Sequence, residues 1–455
     1  MLGGYHHEWG PGVHTLLLVS RLQDTFQVAD PKQPVLLLAK NAAGAFTHTA
    51  EPTAAMNYRS EFEAYSTELQ QIWQRETHSL IAGVRYQNGG FDTRSTLGAS
   101  TATKLSNKAG PPTAVAFASK PVNQDFSSDL ERVSVYAYDH WRLADPLLLI
   151  GGVSYDYLTF PLNHRSSPIL NQEETNDQVS PKAGLVWTLS KNSALRGSYT
   201  RSLGGVSYDQ SFRLEPTQIA GFTQAYRSLI SESVAGAAAS PTFETWGLAL
   251  DHKLGSGTYF GIETELLKSE VDRRLGSIEL SDFVIFPVPD AKNTASSTRQ
   301  HLDYQEKNLV LTLNQLVGDQ WSVGMRYRVS EADLNTSFPD IPDAVSGGSN
   351  IDTVAALQQL NLYTRFNHPS GFFGLFESLW SKQSNRGYST DLPGDDFWHF
   401  NIYAGYRFVQ RADRAAELKL GLLNLTDQDY QLNPLNLYNE LYRDRTFTVS
   451  FKFYF

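Results

Sequence analysis

The sequence runs to 455 residues with 38 Lys and Arg against 48 Asp and Glu, a net charge of −10 that argues against a nucleic-acid binder or a polybasic membrane-surface protein. It contains no cysteine, which removes disulfide frameworks, thiolate metal sites and cysteine nucleophiles and suits an oxidising compartment. The longest apolar run, Leu147 to Val153, is far short of the roughly 18 residues of a membrane helix, and 12% aromatic residues favour strands.

The first stretch, Leu2 to Trp9, has neither the basic start nor the apolar core of a targeting segment. It reads as a strand running into the turn Gly10-Pro11-Gly12. Further short links follow at Arg75-Glu76-Thr77, Ala144-Asp145-Pro146, Ser190 to Ser193, Leu254 to Gly257, Val317 to Gln320, His368 to Gly371 and Val409 to Arg414. Between them lie long polar segments, including Thr96 to Gln124, Ser202 to Thr242, Gly276 to Ser297 and Phe338 to Asp352. The strands that join them alternate. Trp246, Leu248 and Leu250 share one face; so do Phe260, Ile262 and Leu266, and Leu309, Leu311 and Leu313. The alternation is sharper at Trp321, Val323, Met325, Tyr327 and Val329, at Trp398 to Phe408, and at the C-terminus. There Phe447, Val449, Phe451, Phe453 and Phe455 oppose Thr446, Thr448, Ser450, Lys452 and Tyr454. A period of two with opposite chemistry is a strand with one apolar and one polar face.

Tight turns alternating with long loops, on strands long enough to cross a bilayer, predict a large antiparallel transmembrane β-barrel with periplasmic turns and extracellular loops. The expected architecture is all-β, one barrel domain over residues 1–455, with about 17 strands. Counted back from a periplasmic last residue, the first strand descends. Closed barrels hold an even number of strands, so at least one ascending strand is expected ahead of Met1.

Three stretches carry a family resemblance. The alternating strand ending at Phe455 resembles the signal by which outer-membrane assembly machinery recognises its substrates. Leu418 to Leu425 with Asn424-Leu425-Thr426-Asp427-Gln428-Asp429-Tyr430 resembles the penultimate strand of TonB-dependent receptor barrels, and Ser180-Pro181-Lys182-Ala183-Gly184 resembles their Ser-Pro-Lys-x-Gly hairpin. The resemblance implies an outer-membrane location, lipid and assembly machinery as partners, capture of a small ligand, and TonB as a partner through a region ahead of this chain. It also implies an N-terminal plug and TonB box, which this sequence does not show. Arg201 to Phe222 resembles barrels fused to tetratricopeptide repeats.

For chemistry, no Gly-x-Ser-x-Gly elbow, His-Glu-x-x-His helix or phosphate loop is present, so no catalytic role, cofactor or metal is expected. His6, His7 and Glu8 alternate faces and cannot converge on one ion. The acidic run Asp391 to Asp396 lacks the spacing of a calcium loop. Glu131, Glu263, Glu265, Arg326, Arg328, Arg365 and Arg407 are expected to line the lumen, pairing with one another or selecting charge. Ile219, Phe222, Tyr226 and Ile230 are spaced partly as on a helix, which would fold over or into the pore, or remain in a surface loop. The leading function is a transport barrel of the TonB-receptor type; the alternatives are an export pore coupled to a periplasmic repeat domain and a plug-free passive porin.

Overall fold

The computed structural model describes all residues except 107–111, 113–115, 206–211, 225–238, 256, 282–291, 346–349, 388–393, 412–413, 430–443 and 455. In chain order the strands are β1 (Leu2–Gly10), β2 (Val13–Pro34), β3 (Leu36–Lys40), β4 (Phe46–Ala50), β5 (Thr53–Gln74), β6 (His78–Leu97), β7 (Thr103–Lys104), β8 (Ala116–Phe117), β9 (Val122–Ala144), β10 (Leu147–Pro161), β11 (Glu173–Ser190) and β12 (Ser193–Leu203). They continue as β13 (Gln218–Ile219), β14 (Phe222–Thr223), β15 (Thr242–Leu254), β16 (Thr258–Ser281), β17 (Lys292–Val317), β18 (Trp321–Ser337), β19 (Ile351–Asn367), β20 (Phe372–Arg386), β21 (Asp396–Arg411), β22 (Arg414–Leu423) and β23 (Thr446–Tyr454).

Seventeen of these strands form one antiparallel meander, β1-β2-β5-β6-β9-β10-β11-β12-β15 and then β16 through β23 in order. Every predicted short link joins two neighbours at one end of this wall, and every long segment joins them at the other. β1 and β23 both run toward the short-turn end. Among the described residues no ladder joins those two. One expectation needs correcting: the polar segment Gly276 to Ser297 is mostly strand, since β16 continues to Ser281 and β17 begins at Lys292.

The strands carry two bands of opposite character. Near the short turns the outer face is apolar: on β5 it presents Tyr65, Thr67, Leu69, Gln71 and Trp73, with Leu69 46% exposed. That band rises about 27 Å along a tilted strand, the scale of the apolar belt and aromatic girdles of an outer-membrane barrel. Trp141 and Trp187 lie at the turn end of the same belt; Tyr86 and Tyr157 lie at its far edge. Beyond Tyr65 the outer face of β5 becomes Glu63, Glu61, Arg59 and Asn57, while Met56, Tyr58, Phe62 and Ala64 turn inward and are buried. β6 and β9 repeat the reversal, with Phe91 and Leu97, and Leu130, on the inside.

Loops close this upper region. Phe62, Phe91, Leu130, Leu158, Phe160 and Leu203 pack as one cluster, with the Phe62 and Phe91 rings 4.5 Å apart. A second cluster joins β3, β5 and β16 through Leu37, Ala39, Met56, Tyr58, Ile278 and Leu280. β3 reaches β16 because β15 stops at Thr242, opposite Glu270, leaving the edge of β16 open above it. A bare edge exposes unpaired amides and carbonyls, and Leu36 to Ala39 fills this one as a parallel strand against Ser277 to Leu280.

Candidate permeation path

Toward the turn end, inside the wall, small and polar side chains replace the apolar ones, and the longest loop turns into them. Residues Phe212 to Gln224 leave the rim above β12 and descend beside β5, β9, β10 and β11. Glu68 on β5, 1% exposed, accepts from the backbone amides of Leu214 at 2.8 Å and Glu215 at 3.0 Å, and from the Tyr136 hydroxyl at 2.7 Å. Gln70 donates to the Leu214 carbonyl at 2.6 Å. A carboxylate so far from water requires such donors.

Glu215 is the second anchor. Its carboxylate lies 3.0 Å from Lys182 Nζ and 3.8 Å from Arg213, and accepts from the Tyr138 hydroxyl at 2.6 Å. Burial alone would push it up, but Lys182, Arg213 and the tyrosine outweigh burial and hold it down at about 2, so it stays ionised. The charges of Glu68, Glu215, Lys182 and Arg213 sum to zero, and Arg85 on β6, buried and in register with Glu68, adds one positive charge beside them. Arg132 and Asp156, 2.8 Å apart on the adjoining wall, cancel each other.

Below these anchors β13 and β14 form a two-rung hairpin, Gln218 opposite Thr223 and Ile219 opposite Phe222. Its turn is Ala220-Gly221, both with positive φ, the backbone a tight hairpin demands. Ile219 is fully buried against Ile150, Tyr136 and Tyr138. The wall admits the hairpin at two glycines: a Cβ on Gly184 would meet Ile219 at 2.7 Å, and one on Gly247 would collide with the Phe222 ring. Arg196 donates to the Ala220 carbonyl at 3.2 Å and lies over the Phe222 ring.

Under the hairpin the wall opens into a charged vestibule of about 390 Å³, lined among others by Arg196, Asp251, Glu263, Thr312, Asn314 and Arg326. Arg196 bridges Asp251 at 2.9 Å and Glu263 at 3.5 Å.

Of the residues expected in the lumen, Glu263 and Arg326 face this vestibule, and Glu265 shares the face of Glu263. Arg328 sits higher on the same side, donating to Asn308 at 3.0 Å and lying 3.7 Å from Glu306. Arg365 is in register with Ser322 on the inner face of β18 and β19. Arg407 pairs with Glu417 at 2.8 Å and lies over Phe373. Glu131 is a correction: it alternates with the buried Leu130 and Arg132, so it projects outward, contacting Tyr86. It lies just above the apolar belt, where the outer face is polar because it meets water.

Ile219 and Phe222, expected either on a short helix or in a surface loop, lie in a hairpin; Tyr226 and Ile230 lie outside the described residues. Among the acidic run, Asp391 lies outside them too, and Asp396 is engaged by Trp380 and Lys382. Phe447, Val449, Phe451 and Phe453 form an exposed stripe on the last strand, while Phe455 is outside the described residues. Sequence reasoning passed over Glu68, Arg213 and Glu215. The available signal was the hairpin motif, since Lys182 and Gly184 are two of the loop's contacts.

Residues 3–228 match the family model described as TonB dependent receptor-like, beta-barrel. No curated protein matches the sequence significantly. Among solved structures, the chain is similar to the ferric citrate transporter FecA in its unliganded form, at 14% identity and TM-score 0.52, covering 94% of this chain and 56% of that one. It is similar to the ferric-catecholate import receptor Fiu of Escherichia coli K12, at 12% and 0.53, covering 99% and 63%. A third is BauA, the ferric preacinetobactin receptor of Acinetobacter baumannii, at 12% and 0.52, covering 100% and 62%. At these identities the likeness is one of fold, and the chain spans less than two thirds of each of these proteins.

Proposed function

We propose that this chain, which matches the TonB dependent receptor-like, beta-barrel family model over residues 3–228, is an outer-membrane transport barrel whose lumen is obstructed by its own loop until a ligand or partner moves it. The observation that carries this reading is the seating of Phe212 to Gln224 on Glu68, Lys182 and Arg196. A connected ion cluster suits a removable obstruction, since breaking one pair leaves an uncompensated charge and weakens the rest. The extracellular loops supply ligand capture, and TonB is the proposed source of energy.

The test is single-channel conductance of the full chain in planar bilayers. The wild type should be almost closed in potassium chloride, and Glu215→Gln, which leaves Lys182 and Arg213 unmatched, should open it several-fold. A wild type that is already freely conductive would overturn obstruction and leave the passive porin, and a Glu215→Gln variant that stays closed would remove the ion cluster as its anchor.

A further inference from the structure

The first hairpin holds an arrangement that the transport reading does not use. The β1–β2 ladder sets His6 opposite Leu16 and Glu8 opposite His14. Leu16 is in register with Gln70, whose side chain points into the lumen, so His6, Glu8 and His14 share the lumen face near the turn end. His7 projects from the other face, its ring 4.4 Å from Trp9 and 6.3 Å from Tyr5. His6 Nε2 and His14 Nδ1 are 3.1 Å apart, with ring centroids separated by 5.2 Å.

We propose that His6 and His14 form a two-imidazole site for a borderline divalent transition-metal ion, of the Cu²⁺ or Zn²⁺ class. Metal–imidazole bonds of about 2.0–2.1 Å to two nitrogens at this spacing subtend roughly 100° at the ion, between the square-planar and tetrahedral angles these metals adopt. Binding asks little of the protein. The proton between the rings moves to the far nitrogen of its own imidazole, so both neutral rings present a lone pair and no net proton is released. Imidazole donors select this class over Mg²⁺ or Ca²⁺, which take oxygen ligands. Among the described residues no group of three or more His, Cys, Asp and Glu converges on an ion, so water fills the remaining positions. Glu8, across the ladder from His14, supplies negative charge nearby. The ion would tie β1 to β2, stabilising the hairpin in proportion to occupancy.

Titration of the detergent-folded full chain with Cu²⁺, followed by electron paramagnetic resonance and calorimetry, tests this. The expected signal is one ion with hyperfine splitting from two nitrogens. Affinity should fall roughly tenfold or more in His6→Ala and in His14→Ala, and stay within about twofold in His7→Ala, on the opposite face. His6→Gln and His14→Gln repeat the test with longer side chains should either alanine variant fail to fold. A two-nitrogen signal that survives in both glutamine variants, that vanishes equally in His7→Ala, or that is missing from the wild type overturns the site.

Discussion

Along β5, the thirteen residues from Leu69 back to Asn57 carry one face of one strand from hydrocarbon into water. Leu69 and Trp73 are bare and apolar because lipid covers them; Asn57, Arg59 and Glu61 are bare and polar because water does. The inner face changes the other way, from Glu68 and Gln70 at belt depth to Phe62, Tyr58 and Met56 above it. In the lower region a buried carboxylate is matched donor by donor. In the upper region loops fold onto the wall and build an ordinary hydrophobic core. The lesson is that an alternating strand does not say which face is inside; the medium around each stretch does.

The largest effect that would sharpen this contrast is in the upper core. Phe62→Ala or Phe91→Ala should cost about 3–5 kcal/mol, read from urea unfolding of the folded barrel, because each ring is buried against the other. A loss below about 1 kcal/mol would mean the upper region is not a packed core.

Next comes the outer face. Leu69→Arg should cost about 2–4 kcal/mol at the bilayer midplane, while Asn57→Arg, on the same face of the same strand, should stay within about 0.5 kcal/mol. Equal losses of heat-modifiable barrel at both positions would erase the boundary drawn at Tyr65.

A smaller effect depends on pH. His164, in the loop after β10, is 3% exposed against the Phe91 ring, and burial first, then neighbouring Arg165, lowers it to about 3. Between that value and the unfolded one near 6.5 the unfolded chain binds the extra proton, so stability rises with pH across the window and falls on acidification. The slope is at most about 1.4 kcal/mol per pH unit. His164→Asn should flatten the acid side of a pH series of protease resistance in the upper region; an unchanged profile would remove His164 as its source.

The smallest effect is at the surface. Arg94 and Asp125 are paired at 2.6 Å on the outer face of the upper region and are both well exposed. Arg94→Ala should therefore change stability by about 0–1 kcal/mol, and a greater loss would show that this face is covered.

Much of the architecture was legible in the sequence. Most tight turns follow from Gly, Pro, Asn and Asp between alternating runs, because those residues act within three or four positions of themselves, and the strand count follows from the turns. The lower faces at Trp321 to Val329 and Trp398 to Phe408 were legible for the same reason, lipid and lumen acting on alternate residues. Glu131 was misread by applying that rule above the belt, where it inverts. Gly276 to Ser297 was misread as loop because strands in water on their outer side lose the apolar stripe that marks them.

What the sequence determined by itself is local: period, turn, strand direction and the paired chemistry of the two faces within the bilayer. What only the tertiary structure decided is long-range. Glu68 meets Leu214 and Glu215 across about a third of the chain, Lys182 and Gly184 become the seat of a loop, and His14 meets His6 across a turn. A buried charge accepts whichever donor the fold brings within about 3 Å, and no spacing along the chain encodes that encounter.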